Sequence, residues 1–373
     1  MRMETLLFLF LTVLCVPGFS TQALAWGPLG HRMTTETAAL LLEKSRADDW
    51  GPLLARHRFE LGYYSIVPDA IYRHKDGKNG ILEAPTHYFD LDIALGSVVV
   101  TPELEAKLEK IPWSFEAAQK YLEETIGHEK MLSAGTAPWR VEQFQELAWQ
   151  NLKNVKVVKG GYQQGTKAEG DLRKVYRGMY YLGVMSHYSS DAAMPYHASS
   201  DWNGWATGQG GIHFFFETDC ANALEPGLST LVFEEAQKHQ KEWLAFWHAP
   251  SAAPAGVMLR LFLDSATALP KLARLDKEKA VTQASDVSKQ QPATRRPAIE
   301  VCKYFQPLLV ERLAKASVMT AYLWDSVLPH GVDFSKSGSV QFSDFEFDPG
   351  YVEPNYGAPS FLKFKYPWEK DTH

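Results

Sequence analysis

Cysteine is scarce in this chain of 373 residues, which contains only three. So few cysteines exclude a small fold held together by many disulfide bonds. Cys15 lies in an N-terminal apolar run, and the other two, Cys220 and Cys302, either pair or stay free. Walker-type phosphate loops, paired CxxC motifs and nucleophile elbows are absent as well. The sequence therefore lacks the signatures of P-loop nucleotide hydrolysis, dithiol chemistry and serine-esterase catalysis.

A surplus of basic residues is also missing, since the formal net charge is −6. The charge thus gives no indication of a broad basic surface for polyanions. Hydrophobic residues make up 45% of the chain and aromatic residues 13%, which is typical of an ordinary soluble globular protein. No stable protein partner is implied by this composition.

Long apolar runs are scarce too. The run over residues 6–16 follows a basic residue, is too short to span a bilayer, and precedes an Ala-Leu-Ala triplet. This arrangement predicts a signal peptide over residues 1–25, cleaved between Ala25 and Trp26. We expect a secreted or periplasmic protein with no transmembrane segment in its mature chain.

Hydrophobic residues recur mainly at the helical period, which predicts an all-α protein. The segment 168–194 is the most convincing helix, with an apolar stripe from Leu172 to Met185 and an end enforced by Pro195. Alternation typical of strands is rare, and Gly96–Thr101 is its best candidate. The other predicted helices cover residues 31–46, 102–130, 139–156, 230–248 and 298–328.

Two segments differ from the helical remainder. Residues 276–297 are polar with almost no large apolar side chain, so they predict a mobile surface loop. Residues 331–373 alternate aromatics with Pro, Gly, Ser and Asp, which predicts an irregular C-terminal wrapper. The simplest organisation is one helical domain over residues 26–330, followed by this wrapper.

A cluster of imidazoles and carboxylates lies between residues 187 and 217. His187, Asp191, His197, His213 and Glu217 follow one another at spacings of four, six, sixteen and four. A spacing of four puts both members of a pair on one face of a helix, where their heads can converge on one ion. These are side chains that bind zinc. The cluster predicts a site for more than one metal ion and metal-assisted hydrolysis.

Further ligand candidates precede this cluster. Signal-peptide cleavage would make Trp26 the N-terminus, and its α-amine and carbonyl oxygen can chelate a metal ion as a five-membered ring, with His31 five residues away. Asp69 and His87 each follow a proline closely, in segments that read as loops. Each has a purely structural alternative. Trp26 could be the first residue of a core helix, Asp69 a turn residue or cap, and His87 a satisfied surface or core histidine. With the cluster, however, they complete a set of nine, the number that three zinc sites need.

At these positions the chain resembles the superfamily of trinuclear-zinc phospholipases C and single-strand-specific zinc nucleases. The resemblance covers residues 26–31, 61–92 and 172–219. It implies a helical bundle around a cleft that contains three Zn²⁺ ions. It also implies a ligand set for each ion: Trp26 and His31 for one, Asp69, His87 and His187 for a second, with Asp191 bridging these two, and His197, His213 and Glu217 for the third.

The two branches of this superfamily are each favoured by different residues. The start, Trp26-Gly-Pro-Leu-Gly-His31, is similar to the nucleases. The sequence Pro-Tyr-His197, the short gap to His213 and the glutamate at position 217 look like the phospholipases C. We therefore expect hydrolysis of phospholipid head groups, with single-stranded DNA or RNA as the alternative substrate.

Residues around the predicted ligands suggest further roles. Asp69 either binds metal or acts as general base toward the attacking water. Arg73 is a candidate for pairing with the phosphate, and its alternative is an ordinary exposed arginine. Tyr88 and Phe89 either line a substrate pocket or pack beside His87. A less favoured hypothesis is a secreted binding protein with structural zinc, but such sites are usually closed by four protein ligands.

Overall fold

The described part of the computed structural model comprises residues 26–73, 78–159, 167–248, 253–336 and 350–354. The predicted signal peptide lies outside these residues. The fold is mostly helical, which confirms the all-α class. The helices are α1 (Pro28–Ser45), α2 (Trp50–Arg56), α3 (Arg58–Tyr64), α4 (Lys78–Glu83), α5 (Leu91–Leu95), α6 (Pro102–Leu108), α7 (Phe115–Ile126), α8 (His128–Ser133), α9 (Ala137–Leu152), α10 (Lys167–Asp191), α11 (Ile212–Phe214), α12 (Cys220–Leu224), α13 (Leu228–His248), α14 (Pro254–Leu275), α15 (Ala298–Val301) and α16 (Gln306–Asp325).

Helix α10 lies at the centre of the bundle and packs against α1, α3, α9 and α16. The apolar stripe predicted for it is buried, from Leu172 to Met185. The helix ends at Asp191, three residues before the predicted end, because Pro195 already begins the next short turn, Pro195–Ala198. The last turn of a rigid, buried helix therefore presents the side chains of residues 187–191.

A buried ion pair fixes the chain just after α10. Arg312 of α16 donates its Nε–H to the carbonyl oxygen of Ala193 at 2.8 Å and pairs with Asp264 of α14 at 2.9 Å. Lys315 donates to the second oxygen of Asp264 at 2.8 Å. These bonds join three helices at the point where the polypeptide leaves α10.

Several predicted elements are divided or absent. The single helix predicted over residues 102–130 is three helices, since Pro112 follows α6 and Gly127, with a φ of +86°, separates α7 from α8. The strand predicted at Gly96–Thr101 is wrong. Gly96 instead ends α5 in the left-handed conformation, and the hydroxyl of Thr101 caps α6. Pro307 likewise opens α16 after a break that follows α15.

The mobile loop predicted over residues 276–297 is also wrong. Two short strands, β2 (Val281–Gln283) and β3 (Thr294–Arg295), pair antiparallel there to form a hairpin. Arg295 forms two hydrogen bonds with Asp276, whose carboxylate is buried. Polar side chains that bond to one another order this segment without an apolar core, which hydropathy cannot indicate.

Parts of the predicted C-terminal wrapper lie on the helical body. Strand β4 (Asp333–Lys336) pairs parallel with β1 (Val157–Lys159). Arg140 and Gln143 of α9 donate hydrogen bonds to the carbonyl oxygens of Val352 and Glu353, at 2.7 and 2.8 Å. Residues 337–349 and 355–373 of the wrapper lie outside the described residues.

The pairing of the cysteines and the expected lack of a transmembrane helix can also be compared with the structure. Cys220 and Cys302 form a disulfide bond, which joins the start of α12 to the turn that follows α15. Of the alternatives left open for these cysteines, pairing is the one the structure contains. Within the described residues, every helix is too short or too polar to cross a membrane.

Candidate metal centre

Eight of the nine predicted ligand residues converge in the interior, and they form three groups in which the ligand atoms lie within 4.8 Å of one another. We call His31, His187 and Asp191 the first group, Asp69, His87 and His187 the second, and His197, His213 and Glu217 the third. All eight residues are buried.

Local structure brings these residues together from distant parts of the chain. Helix α1 supplies His31, and the last turn of α10 supplies His187 and Asp191 on one helical face. The other ligands lie on single turns with proline or irregular helical geometry, where a side chain can be directed without a long helix. These turns are Pro68–Tyr72, Ala84–His87, Pro195–Ala198, Ile212–Phe214 and Phe215–Asp219.

The third group shows most clearly how the chain could hold a cation. The Nδ1 atoms of His197 and His213 lie 2.5 Å from the carbonyl oxygen of His87 and 2.7 Å from that of Trp202. A carbonyl oxygen only accepts, so the proton of each neutral ring is on Nδ1. The two Nε2 lone pairs then face each other at 3.0 Å, and an oxygen of Glu217 lies 2.9 Å from His213 Nε2. Three acceptor atoms directed at one another in this way form a suitable site for a cation.

Hydrogen bonds from Nδ1 orient His187 and His31 in the same way. His187 Nδ1 lies 2.7 Å from the carbonyl oxygen of Ser65, which leaves its Nε2 lone pair directed into the site. His31 Nδ1 lies 2.7 Å from the hydroxyl oxygen of Ser190. Metal-binding histidines usually donate their other ring N–H to such a partner, which fixes the tautomer and the ring orientation. The imidazoles are therefore preoriented as ligands.

Asp191 contacts two groups at once. Its Oδ1 lies 3.5 Å from His31 Nε2, while its Oδ2 lies 3.0 Å from His87 Nδ1 and 3.4 Å from His187 Nε2. One oxygen thus faces the first group and the other faces the second. This is the placement expected of a carboxylate that bridges two metal ions, the role implied by the resemblance.

The spacing of the ligand atoms in the second and third groups suits a small ion. Tetrahedral zinc with bonds of about 2.0–2.1 Å has ligand atoms about 3.3 Å apart. In the second group the separations are 2.9 Å between His87 Nδ1 and His187 Nε2, 3.8 Å from His187 Nε2 to Asp69 Oδ1, and 4.0 Å from His87 Nδ1 to the same oxygen. These values bracket the tetrahedral edge.

Burial makes the metal-free site costly. It lowers the pKa of His213 to about 4 and raises the pKa of Asp69 to about 6, the latter opposed by the charge of Arg73. Burial also raises the pKa values of Asp191 and Glu217 well above their ordinary range. Within the described residues, Asp69 Oδ1, Asp191 Oδ1 and both oxygens of Glu217 accept no hydrogen bond. Bound cations would satisfy these oxygens and offset the cost, so the donor set fits metal ions.

Sequence reasoning missed Glu83. This fully buried carboxylate lies 3.7 Å from His87 Nε2, accepts hydrogen bonds from Tyr188 and Thr86, and pairs with buried Arg140 at 3.0 Å. It supports the ring of His87 from the side opposite the second group. The spacing of four residues from Glu83 to His87 is the one sequence signal that pointed to it.

The ninth predicted ligand, Trp26, lies directly beside the eight. Its buried indole N–H donates to the carbonyl oxygen of Ser190 at 2.8 Å, and its ring packs near Phe216. The next residue, Gly27, passes so close to Thr218 that an added Cβ would meet the threonine hydroxyl at 2.5 Å. The start of the predicted mature chain is therefore held between the segments that carry Asp191 and Glu217.

The remaining predicted site residues differ in position. Arg73 follows the turn that carries Asp69 and places its Nε 3.4 Å from Asp69 Oδ1, with 11% of the side chain exposed. Tyr88 is half-buried. Phe89 is fully buried and packs against Trp139 and Phe262, and these contacts favour packing, the second of the two roles predicted for it.

A comparison with known protein-family models and with curated proteins finds no match to this chain.

Proposed function

We propose that the protein is a zinc-dependent phosphodiesterase, and that it hydrolyses phospholipid head groups in the manner of a phospholipase C. The observation that carries the proposal is the convergence of eight buried ligand residues in three adjoining groups, with Asp191 facing two of them. The first and third groups each have three side-chain ligands rather than four, which favours catalysis over the purely structural zinc of a binding protein.

Zn²⁺ bound in such a cluster neutralises a phosphodiester and lowers the pKa of water toward neutrality. Side chains of the site would position the ions, the attacking water and the phosphate. Asp191 holds two groups in one unit, and Asp69, whose Oδ1 accepts no hydrogen bond, is a further ligand or takes up the proton of the attacking water. Arg73, charged and partly exposed beside Asp69, can donate to a phosphate oxygen. Half-buried Tyr88 is left as a candidate for contact with the organic part of the substrate.

A single-strand-specific endonuclease is the second candidate. It is favoured by the position of Trp26 beside Ser190 and Asp191, since the Trp26-to-His31 start resembles the nucleases. The ligand chemistry is the same in both cases, because both substrates are phosphodiesters. The two candidates differ in the alcohol that leaves, and an assay with both substrates separates them.

The test uses purified protein that begins at Trp26, loaded with Zn²⁺ and offered phosphatidylcholine vesicles, single-stranded DNA and RNA side by side. We expect three zinc ions per chain, release of phosphocholine, and loss of activity in chelator. Cleavage of nucleic acid with no release of phosphocholine would support the endonuclease instead. Fully active protein with one ion or none per chain would contradict both candidates.

A further inference from the structure

We propose that Arg295 is a positioning residue for the third metal-binding group, and that the hairpin formed by β2 and β3 controls whether this group holds its ion. The inference rests on the proposed metal site. It concerns a segment that contributes no ligand and that lies about 80 residues further along the chain than His213 and Glu217.

Arg295 uses its whole guanidinium group to connect the hairpin to the loop over residues 208–211. It donates to the carbonyl oxygen of Gln209 at 2.6 Å and to that of Gly210 at 3.1 Å. Its Nε and Nη2 bond to both oxygens of Asp276, at 2.8 and 2.9 Å. The Gln209 side chain donates to the same carboxylate at 2.9 Å, which closes the network. Only a rigid fork of donors can satisfy acceptors in so many directions.

Two residues of the hairpin, Ser285 and Ala293, also form hydrogen bonds with the same loop. The amide N–H of Ser285 donates to the carbonyl oxygen of Gly208 at 2.9 Å, and the Ser285 hydroxyl accepts from the amide of Gly210 at 3.1 Å. Ala293 donates to the carbonyl oxygen of Gly210 at 3.0 Å. Residues of the segment predicted to be mobile therefore hold the carbonyl oxygens of Gly208, Gln209 and Gly210 and the amide of Gly210.

This loop leads directly into the third group. Gly211 precedes α11 in the left-handed conformation, with a φ of +93°, and its carbonyl oxygen accepts from the amide of Phe215. His213 is two residues beyond Gly211 and Glu217 is one turn later. Arg295 also lies over the ring of Phe215, with its guanidinium carbon 5.3 Å from the ring centre. A shift of this loop would move His213 Nε2 away from His197 Nε2 and from Glu217.

The other two groups are carried by different elements. Helices α1 and α10 and the turns Pro68–Tyr72 and Ala84–His87 supply their ligands. Weakening the hairpin should therefore affect one ion of three. That selectivity distinguishes a positioning role from a general contribution to stability, which would affect all three ions together.

The experiment measures zinc stoichiometry and zinc affinity by titration against a chelating competitor. The variants are Arg295→Lys, Asp276→Asn and Ser285→Ala. Arg296→Ala is the matched control, because the exposed side chain of Arg296 donates to the carbonyl oxygen of Lys279, which lies outside the loop over residues 208–211. We expect the wild-type protein and the control to bind three ions. The variants should keep two ions tightly and bind the third about 10- to 100-fold more weakly, the usual effect of losing outer-shell support.

A double variant identifies which ion is lost. Glu217→Gln removes a ligand of the third group directly, so adding Arg295→Lys to it should cause no further loss of zinc. Unchanged affinity for all three ions in Arg295→Lys and Asp276→Asn, or equal weakening of all three, would overturn the inference. If Arg295→Lys does not fold, Asp276→Asn and Ser285→Ala decide the question by the same criteria. Wild-type protein that binds fewer than three ions would instead refute the proposed metal site.

Discussion

Asp191→Asn is the substitution whose effects the structure defines most sharply. The carboxylate is fully buried, and its two oxygens face two different ligand groups at 3.0 to 3.5 Å. The amide has almost the same shape but lacks the negative charge and one of the two acceptor oxygens. The substitution should therefore weaken two metal sites while it leaves the packing of α10 intact.

Asp191→Asn should have two opposite effects: it should stabilise the metal-free protein against unfolding, and it should weaken zinc binding. Burial raises the pKa of Asp191 well above its ordinary range, so the metal-free fold is destabilised by this carboxylate. Asp191→Asn should raise the free energy of unfolding of metal-free protein at pH 7, because the amide neither buries a charge nor takes up a proton on folding. Zinc affinity at the first and second groups should fall by more than the roughly 10- to 100-fold that the loss of an outer-shell partner costs.

The assay combines denaturant unfolding in chelator with metal analysis after incubation in zinc. Asp171→Asn is the matched control, since Asp171 belongs to the same helix but is partly exposed and pairs with Lys174 in the turn that follows. The control should bind three ions, and Asp191→Asn about one, with phosphodiesterase activity abolished. A variant that binds zinc like wild-type protein, or whose metal-free form is several kcal/mol less stable, would refute the bridging assignment.

Three further outcomes are expected. Protein with one extra residue before Trp26 should fold but bind fewer zinc ions, and exact cleavage should restore both zinc and activity; full activity of the extended form would show that the N-terminus is not a ligand. Arg73→Ala should lower kcat at unchanged zinc content, with Arg73→Lys retaining part of the rate, and metal analysis beside kinetics tests this. Asp264→Asn should lower the free energy of unfolding at pH 7 by about 3 kcal/mol, because it removes the negative charge that lies 2.9 Å from buried Arg312. Burial alone would raise the pKa of Asp264, but Arg312 and Lys315 lower it, so the native state binds fewer protons than the unfolded state there. Wild-type protein should therefore lose this advantage as the pH falls below about 4, the ordinary value for an unfolded Asp, and the difference from Asp264→Asn should shrink.

Much of the candidate site was predictable because histidine and carboxylate side chains are typical metal ligands, and because several of them lie four residues apart in the sequence. His187 with Asp191, and His213 with Glu217, are separated by four residues, and the helical period alone brings each pair to one face. The central helix was predictable for the same reason, since its apolar stripe repeats at 3.6 residues and a proline follows its end. Local periodicity and local stereochemistry determine these features, so the amino-acid sequence by itself contained them.

Other features depended on contacts between distant residues, which no local pattern encodes. The support of His87 by Glu83 needs Arg140, and the order of the residue 276–297 segment needs Arg295 to meet Asp276 and the carbonyl oxygens of a loop far earlier in the chain. Phe89 was a candidate for the site because it lies close to His87 in the sequence, yet its ring is fully buried against Trp139 and Phe262. The sequence determined which residues can bind metal. Only the tertiary structure decided which polar residues hold them in place, because hydrogen bonds are satisfied in space and not along the chain.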